Sequence, residues 1–398
     1  MAVREGLATL LVIAFIAAMA PVLVGLFPRL HIPQVVVLLT GGVIVGPQLL
    51  GWGDPGLVSP FVNLGLGFLF LLAGYELDFG ALRATPGRLA IAAWLVSVVL
   101  ALIVVGVLAS TGFVRAFVPV SLALTTTAFG ILLPILRENG MLSGSFGSNV
   151  VAAGAVGEFF PIVAIAVFLG SKGQFVGLIS LVVVAALAAL LSLAPRLVRG
   201  RRSEAVILSG QNATTQTTLR WTILLLLLLL VVADKFGLDV VLGAFLAGAV
   251  LRRWAPGDTG QLEAKLDAVG YGFFIPIFFV AAGMRLDLPS IVHSPGRVLV
   301  FFVLLLLVRG APALLIYRRA LAPRGRFEMT LLTATALPLL VALSEIGLAN
   351  GTMLPENAAA LVGAGMLSVL VFPSVALAID RRKDRTDVRS SISQEEDG

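Results

Sequence analysis

The chain has 398 residues, of which 59% are hydrophobic and only 13% are charged. Soluble domains carry about 25% charged residues, so too little polar surface is available to cover this much apolar sequence, and a soluble enzyme is excluded. Cys is absent and His occurs twice, which excludes disulfides, thiolate sites and a His-rich metal site. The net charge of +6 is too small to indicate a nucleic-acid partner. The composition predicts an integral membrane protein embedded in a lipid bilayer.

Thirteen stretches are apolar enough to be transmembrane helices, each of which needs roughly 20 such residues. The first is interpreted as a retained helix and not as a signal peptide, because its short leading segment holds only one basic residue, Arg4. The predicted spans cover residues 8–27, 33–51, 60–75, 88–110, 118–136, 149–170, 175–195, 219–236, 238–254, 268–284, 297–317, 328–346 and 358–379.

Most Lys and Arg residues fall in alternate loops, and the largest groups lie at 199–202, 318–326 and 381–383. Basic loops stay on the cytoplasmic side of a membrane. This pattern predicts a plasma-membrane protein with its N-terminus outside and its C-terminus in the cytoplasm. The polar loop 196–218 and the short tail 381–398 are then cytoplasmic.

Three pairs of segments recur in the same order in the two halves of the chain. Residues 65–78 resemble 270–287, residues 36–42 resemble 240–248, and residues 126–134 resemble 332–338. One such pair could arise by chance among apolar segments, but three in order indicate a repeat. An offset of seven spans gives the copies opposite orientations, an arrangement common in transporters. The predicted organisation is a first repeat with a linker helix (1–195), the cytoplasmic loop, an inverted second repeat (219–380) and the tail.

The fifth and twelfth spans are predicted to be discontinuous. Each has Thr early and Pro midway, and a proline leaves the carbonyl four residues before it without its helical partner. Pro134 would free the carbonyl of Gly130, and Pro338 that of Ala334. Irregular backbone at membrane depth is tolerated inside protein or beside a water-filled cavity. A simple proline kink is the alternative.

Two oppositely charged side chains fall well inside predicted spans, Glu158 in the sixth and Arg309 in the eleventh. An ionisable group at mid-membrane costs at least about 2.5–3.5 kcal/mol and marks a functional site by default. Counted from the cytoplasmic ends of their spans, both lie at a depth of about 12–14 Å at 1.5 Å per residue, so they could pair. A purely structural salt bridge is the alternative, although stability alone is a weak reason to keep one.

The surroundings of Glu158 are rich in oxygen. Gly157 permits close approach of another backbone, and Pro161 frees the carbonyl of Gly157. A carboxylate with free carbonyls and the hydroxyls of Thr126 and Thr127 suits hard cations such as sodium or potassium. The same carboxylate could instead carry a proton.

The sequence resembles the monovalent cation:proton antiporters, in the branch of bacterial sodium/proton exchangers and potassium efflux systems. The resemblance rests on residues 39–47 (LTGGVIVGP), 70–78 (FLLAGYELD) and 273–284 (FFIPIFFVAAGM). It implies an all-α fold of thirteen transmembrane helices, a core domain of crossed discontinuous helices, a separate dimerisation domain and elevator-like alternating access. It also implies that Arg309 fills the position of a membrane-embedded Lys.

The chain departs from this family at the ion site. The family usually has two adjacent polar or acidic residues where this sequence has Glu158 and Phe159. A one-residue shift of the alignment would put Glu158 at the second position of the pair, and in either register the second carboxylate is missing. One acid that holds either a cation or a proton favours electroneutral exchange.

The leading hypothesis is therefore a homodimeric transporter that exchanges sodium or potassium ions for protons. Glu158 would carry the ion or proton, Arg309 would compete with and position it, and Thr126, Thr127 and the carbonyls of Gly130 and Gly157 would complete the site. One alternative is a carrier of an organic anion attracted to Arg309, and another is a non-transporting membrane sensor. An enzyme is not expected, since no Gly-rich phosphate loop or His or Cys constellation is present, and no cofactor is predicted.

Overall fold

In a computed structural model the described residues are 2–26, 33–77, 83–169, 174–193, 216–254 and 260–396. Within these ranges the chain is helical and contains no β-strand. The helices in chain order are α1 (Ala2–Leu26), α2 (Gln34–Val45), α3 (Ser59–Glu76), α4 (Thr85–Ser110), α5 (Phe117–Ala123), α6 (Phe129–Glu138), α7 (Gly144–Phe168), α8 (Gln174–Ser192), α9 (Thr217–Lys235), α10 (Val240–Trp254), α11 (Gly260–Val269), α12 (Ile275–Arg285), α13 (Leu288–His293), α14 (Pro295–Leu304), α15 (Pro312–Ile316), α16 (Pro323–Ala334), α17 (Pro338–Ala349) and α18 (Pro355–Glu396).

All-α membrane architecture is confirmed, but the number of spans is not. Ten stretches of the described chain are long and apolar enough to cross a membrane. The second, fifth and ninth predicted spans instead contain shorter helices. In the second span α2 ends at Val45, directly before Gly46 and Pro47, and a central interruption divides the fifth. The loop 196–215 lies outside the described residues.

The chain forms two compact units, each built from both halves of the sequence. The first contains Met1–Leu26, Val37–Leu77 and Ile162–Leu286, and the second contains Phe27–Val36, Asp78–Pro161 and Asp287–Gly398. The compact units therefore do not coincide with the predicted repeats, since each unit contains helices from both repeats.

In the first unit the inverted repeat is visible as two matching helix contacts. A Cβ atom at Gly74 of α3 would overlap the Phe245 carbonyl of α10, and one at Gly248 of α10 would overlap the carbonyl of Leu71. Helices α2 and α12 meet in the same way through Gly42 and Gly283. Glycine permits these backbone contacts because it has no side chain. Gly74 and Gly283 are the glycines of the repeated Ala-Gly motif, so the contact between the third and ninth spans matches the contact between the tenth and second spans, as the predicted repeat requires.

In the second unit the fifth and twelfth spans are both discontinuous, as predicted. Helix α5 ends at Ala123 and α6 begins at Phe129, while α16 ends at Ala334 and α17 begins at Pro338. We call residues 124–128 the first break and residues 335–337 the second break.

The prolines do not all act as predicted. Pro338 is the first residue of α17, a position where proline loses no hydrogen bond. Pro134 does not make the first break, because that break precedes it and Pro134 lies inside α6. Pro161 likewise lies inside an uninterrupted α7. Membrane helices tolerate an internal proline when neighbouring groups satisfy the freed carbonyl, so proline alone did not locate the interruptions.

Candidate functional site

The two breaks are hydrogen-bonded to each other within the second unit. The N–H of Ala128 donates to the carbonyl of Thr335 (2.8 Å), and the hydroxyl of Thr127 donates to the carbonyl of Thr333 (2.7 Å). Every residue of this contact is buried. Because the interrupted backbone cannot complete its own helix, each break satisfies polar groups of the other. We call this arrangement the crossover.

Helix α7 binds the first break through its own backbone. Pro161 has no N–H to give to the carbonyl of Gly157, and this carbonyl instead accepts a hydrogen bond from the N–H of Thr127 (2.9 Å). The carbonyl that the sequence predicted to be free is therefore partly used, although a carbonyl oxygen can accept a second bond. Gly157 is thus fixed at the crossover.

Arg309 binds both the first break and α7. It is 2% exposed and lies in a π-helical segment, Leu305–Gly310, a feature that is frequent at functional sites. Its Nε–H donates to the hydroxyl oxygen of Thr127 (2.9 Å) and its Nη2 to the carbonyl of Ala153 (3.0 Å). A Cβ at Gly157 would lie 2.5 Å from Nη2 and 2.5 Å from the Thr127 hydroxyl oxygen, so the guanidinium lies directly against Gly157.

Glu158 immediately follows Gly157 on α7 and is 6% exposed. The structure therefore places the buried carboxylate residue one position from the turn of α7 that Arg309 contacts. Next along the helix lie two aromatic rings, Phe159 and Phe160, and the ring of Phe160 packs on Trp94 of α4 at 5.0 Å. An apolar surface thus replaces a second carboxylate beside Glu158. Direct pairing of Glu158 with Arg309 stays a prediction.

The remaining predicted site residues occupy the ends of the first break. The hydroxyl of Thr126 donates to the carbonyl of Ala123 at the end of α5 (2.9 Å), so it satisfies a group that the break leaves open. Gly130 lies in the first turn of α6, with open space where a side chain would be. Both flank the crossover, and their part in ion binding stays a prediction.

Sequence reasoning missed two parts of this site, the carbonyl of Ala153 and the side chain of Ser368. The hydroxyl oxygen of Ser368, on α18, lies 3.0 Å from both the backbone N and the carbonyl oxygen of Ala336 in the second break. The repeated segments recognised in the sequence end at residue 338, so they carried no signal for Ser368. No feature of the sequence marks a main-chain acceptor such as that of Ala153.

The site thus combines a buried acid and a buried base beside two breaks that are hydrogen-bonded to each other. The sequence also matches a known family over most of its length. A family model described as the transmembrane sodium/hydrogen exchanger matches residues 11–378. The chain belongs to the sodium/hydrogen exchanger family. The predicted resemblance to cation:proton antiporters is thereby confirmed.

Two relatives of this chain are distant from it in sequence. The Bacillus subtilis protein YjbQ is 25% identical over 98% of this chain and 66% of its own length. Cation/H⁺ antiporter 18 of Arabidopsis thaliana is 28% identical over 71% of this chain and 37% of its own length. The chain therefore spans less than two thirds of the length of these relatives.

The fold matches that of a solved sodium proton antiporter. The sodium proton antiporter MjNhaP1 from Methanocaldococcus jannaschii, determined at pH 8, superposes with a TM-score of 0.63 at 16% identity, covering 95% of this chain and 98% of that one. The predicted fold of inverted repeats with crossed discontinuous helices is confirmed.

Proposed function

We propose that this protein exchanges sodium or potassium ions for protons by alternating access. The observation that carries the proposal is the position of Glu158, a buried carboxylate residue next to the turn of α7 that binds the first break and Arg309. Family membership and the names of the relatives, which include sodium/proton and cation/proton antiporters, support it.

Glu158 is the proposed shared carrier. A buried carboxylate is stable when it binds a proton or when a cation neutralises it, so a single acid alternates between the two ligands. Hydroxyl and carbonyl oxygens suit sodium and potassium by analogy with other hard cations, and those of Thr126, Thr127, Gly130 and Gly157 are the proposed further ligands. Because Phe159 follows the acid, one cation is proposed to exchange for one proton, and the exchange is electroneutral.

Arg309 is proposed to position the site and to compete electrostatically with the cation. Its bonds to Thr127 and Ala153 tie α7 to the first break. These bonds use two of its five N–H donors. An arginine bound to a hydroxyl and a carbonyl of the protein itself is better suited to holding the crossover than to capturing an organic anion.

The remaining features are proposed on sequence and family grounds. The distribution of basic residues supports insertion in the plasma membrane with the N-terminus outside and the C-terminus in the cytoplasm. The antiporter resemblance supports a homodimer.

Exchange is tested in proteoliposomes loaded with a pH-sensitive dye. Addition of sodium or potassium is expected to drive proton movement in the wild-type protein and none in Glu158→Ala. Glu356→Gln, which alters an exposed residue in the first turn of α18, is the matched control and should remain active. Undiminished exchange in Glu158→Ala would refute the proposal, and proton movement driven only by an organic anion would favour a solute carrier.

A further inference from the structure

Ser368 makes an unusual contact with the second break. The side chain is fully buried, and its oxygen accepts a hydrogen bond from the Ala336 N–H and lies within bonding distance of the Ala336 carbonyl, both at 3.0 Å. Ala336 lies between α16 and α17 and has no helical hydrogen bonds of its own. One hydroxyl oxygen therefore lies within hydrogen-bonding distance of both main-chain polar groups of a buried residue in the second break.

A single register relates part of the first break to part of the second. Thr127–Ala128 and Thr335–Ala336 are separated along the chain by the same distance as Gly157 and Gly365. Both glycines are points of close approach. A Cβ at Gly365 would lie 2.8 Å from the carbonyl oxygen of Ala336, much as one at Gly157 would meet Thr127.

The two breaks nevertheless attach to their neighbouring helices by different chemistry. In the first repeat Pro161 frees the Gly157 carbonyl, which accepts the N–H of the break. The same register places Val369 opposite Pro161, and a valine keeps its N–H for the carbonyl four residues earlier. In the second break the N–H of Thr335 donates to the carbonyl of Leu332, and the attachment to α18 is made between Ala336 and the hydroxyl of Ser368.

The hydroxyl of Ser368 also has a choice of acceptor. Its oxygen lies 2.7 Å from the carbonyl of Gly365 in its own helix and 3.0 Å from that of Ala336. A hydroxyl has one hydrogen to donate, so it bonds either the break or its own helix. The break can therefore separate from α18 without leaving the serine donor unsatisfied.

We propose that Ser368 is a positioning residue that fixes the second break to α18. Through the bond from Ala128 to Thr335 it also fixes the first break beside Glu158. Its effect on transport rests on the proposed cation/proton exchange, whereas its effect on the backbone does not.

Hydrogen–deuterium exchange in liposomes tests the backbone effect directly. In Ser368→Ala the amides of the segment around Ala336 should exchange about 10-fold faster, as expected for loss of one hydrogen bond. The matched control is Ser374→Ala, because the Ser374 hydroxyl bonds only the carbonyl of Leu370 within α18 (2.7 Å). It should exchange like the wild type. Equal protection of the segment in Ser368→Ala and wild type would overturn the proposal.

Cation dependence separates positioning from general stability. Ser368→Ala should raise the KM for sodium about 10-fold, which corresponds to roughly one hydrogen bond. A lower maximal rate at unchanged KM would instead indicate a purely structural loss and would overturn the proposal. Ser368→Cys, which keeps a weak donor, should give an intermediate KM. Gly365→Ala, which keeps the hydroxyl but displaces the Ala336 carbonyl, should loosen the same segment if Ser368→Ala does not fold. If wild-type protein exchanges no cation, the proposed function fails, and the deuterium result still decides the role of Ser368.

Discussion

The Nε–H of Arg309 donates to the hydroxyl oxygen of Thr127 at 2.9 Å, and this hydroxyl in turn donates to the carbonyl of Thr333 at 2.7 Å. Three segments that are far apart in sequence therefore meet in one buried chain of hydrogen bonds. A second guanidinium nitrogen binds Ala153, so the planar side chain holds two elements at once. The shape of Arg309, in addition to its charge, is required for this contact.

Replacement of Arg309 by Lys is expected to preserve the charge and lose function. A single ammonium cannot reproduce two bonds from separate nitrogens of a planar group. Loss of one buried charged hydrogen bond should lower stability by about 1.5–3 kcal/mol, and cation-driven proton movement should fall with it. Thermal unfolding in detergent and exchange in proteoliposomes measure the two effects. Wild-type values for both in Arg309→Lys would show that charge alone suffices.

Gly157→Ala is expected to force Arg309 away from α7. The added Cβ would lie 2.5 Å from both Nη2 of Arg309 and the Thr127 hydroxyl oxygen, and overpacking of this kind costs about 1–3 kcal/mol. Gly296→Ala is the matched control, because its position on α14 has open space. The midpoint of thermal unfolding and the initial exchange rate should fall in the first variant only. An active, stable Gly157→Ala protein would argue against the close contact.

Pro161→Ala is expected to stabilise the helix and impair exchange. Alanine restores the N–H that competes for the Gly157 carbonyl, which now accepts from Thr127. The restored N–H completes the backbone bonding of α7, while the bond lost from Thr127 is worth about 0.5–1.5 kcal/mol, so folding should not suffer. Pro373→Ala, in α18, provides the comparison and should leave exchange unchanged. A Pro161→Ala variant with wild-type exchange would make the Gly157–Thr127 bond dispensable.

Exchange is expected to be independent of membrane potential, because one carboxylate binds one cation or one proton. Moving one net charge through 100 mV is worth about 2.3 kcal/mol, so electrogenic exchange would shift the accumulation ratio by roughly 50-fold. Sodium-driven proton movement should be compared at zero potential and under a diffusion potential set by a permeant anion, because potassium is itself a proposed substrate. A potential-dependent ratio would require a second charge carrier in addition to Glu158.

Sequence patterns predicted the crossover but not its exact position. Hydropathy located the spans, and the scarcity of charged residues inside them identified Glu158 and Arg309. The structure places Arg309 against α7, the helix that carries Glu158. The first break was expected at Pro134 but lies at residues 124–128. Its location depends on hydrogen bonds to Gly157 and Thr335, and such long-range partners leave no local signal comparable to a proline.

Glycine contacts between helices restrict their relative motion in the first unit. These contacts are made at Gly42, Gly74, Gly248 and Gly283. Where helices touch through their main chains, no layer of side chains lies between them that could change rotamer. Such packing leaves little room for the small sliding of packed helices that makes up a shear motion. Helices α2, α3, α10 and α12 are therefore expected to move as one rigid group. Distances measured between spin labels on these four helices should have the same narrow distributions with and without bound cation.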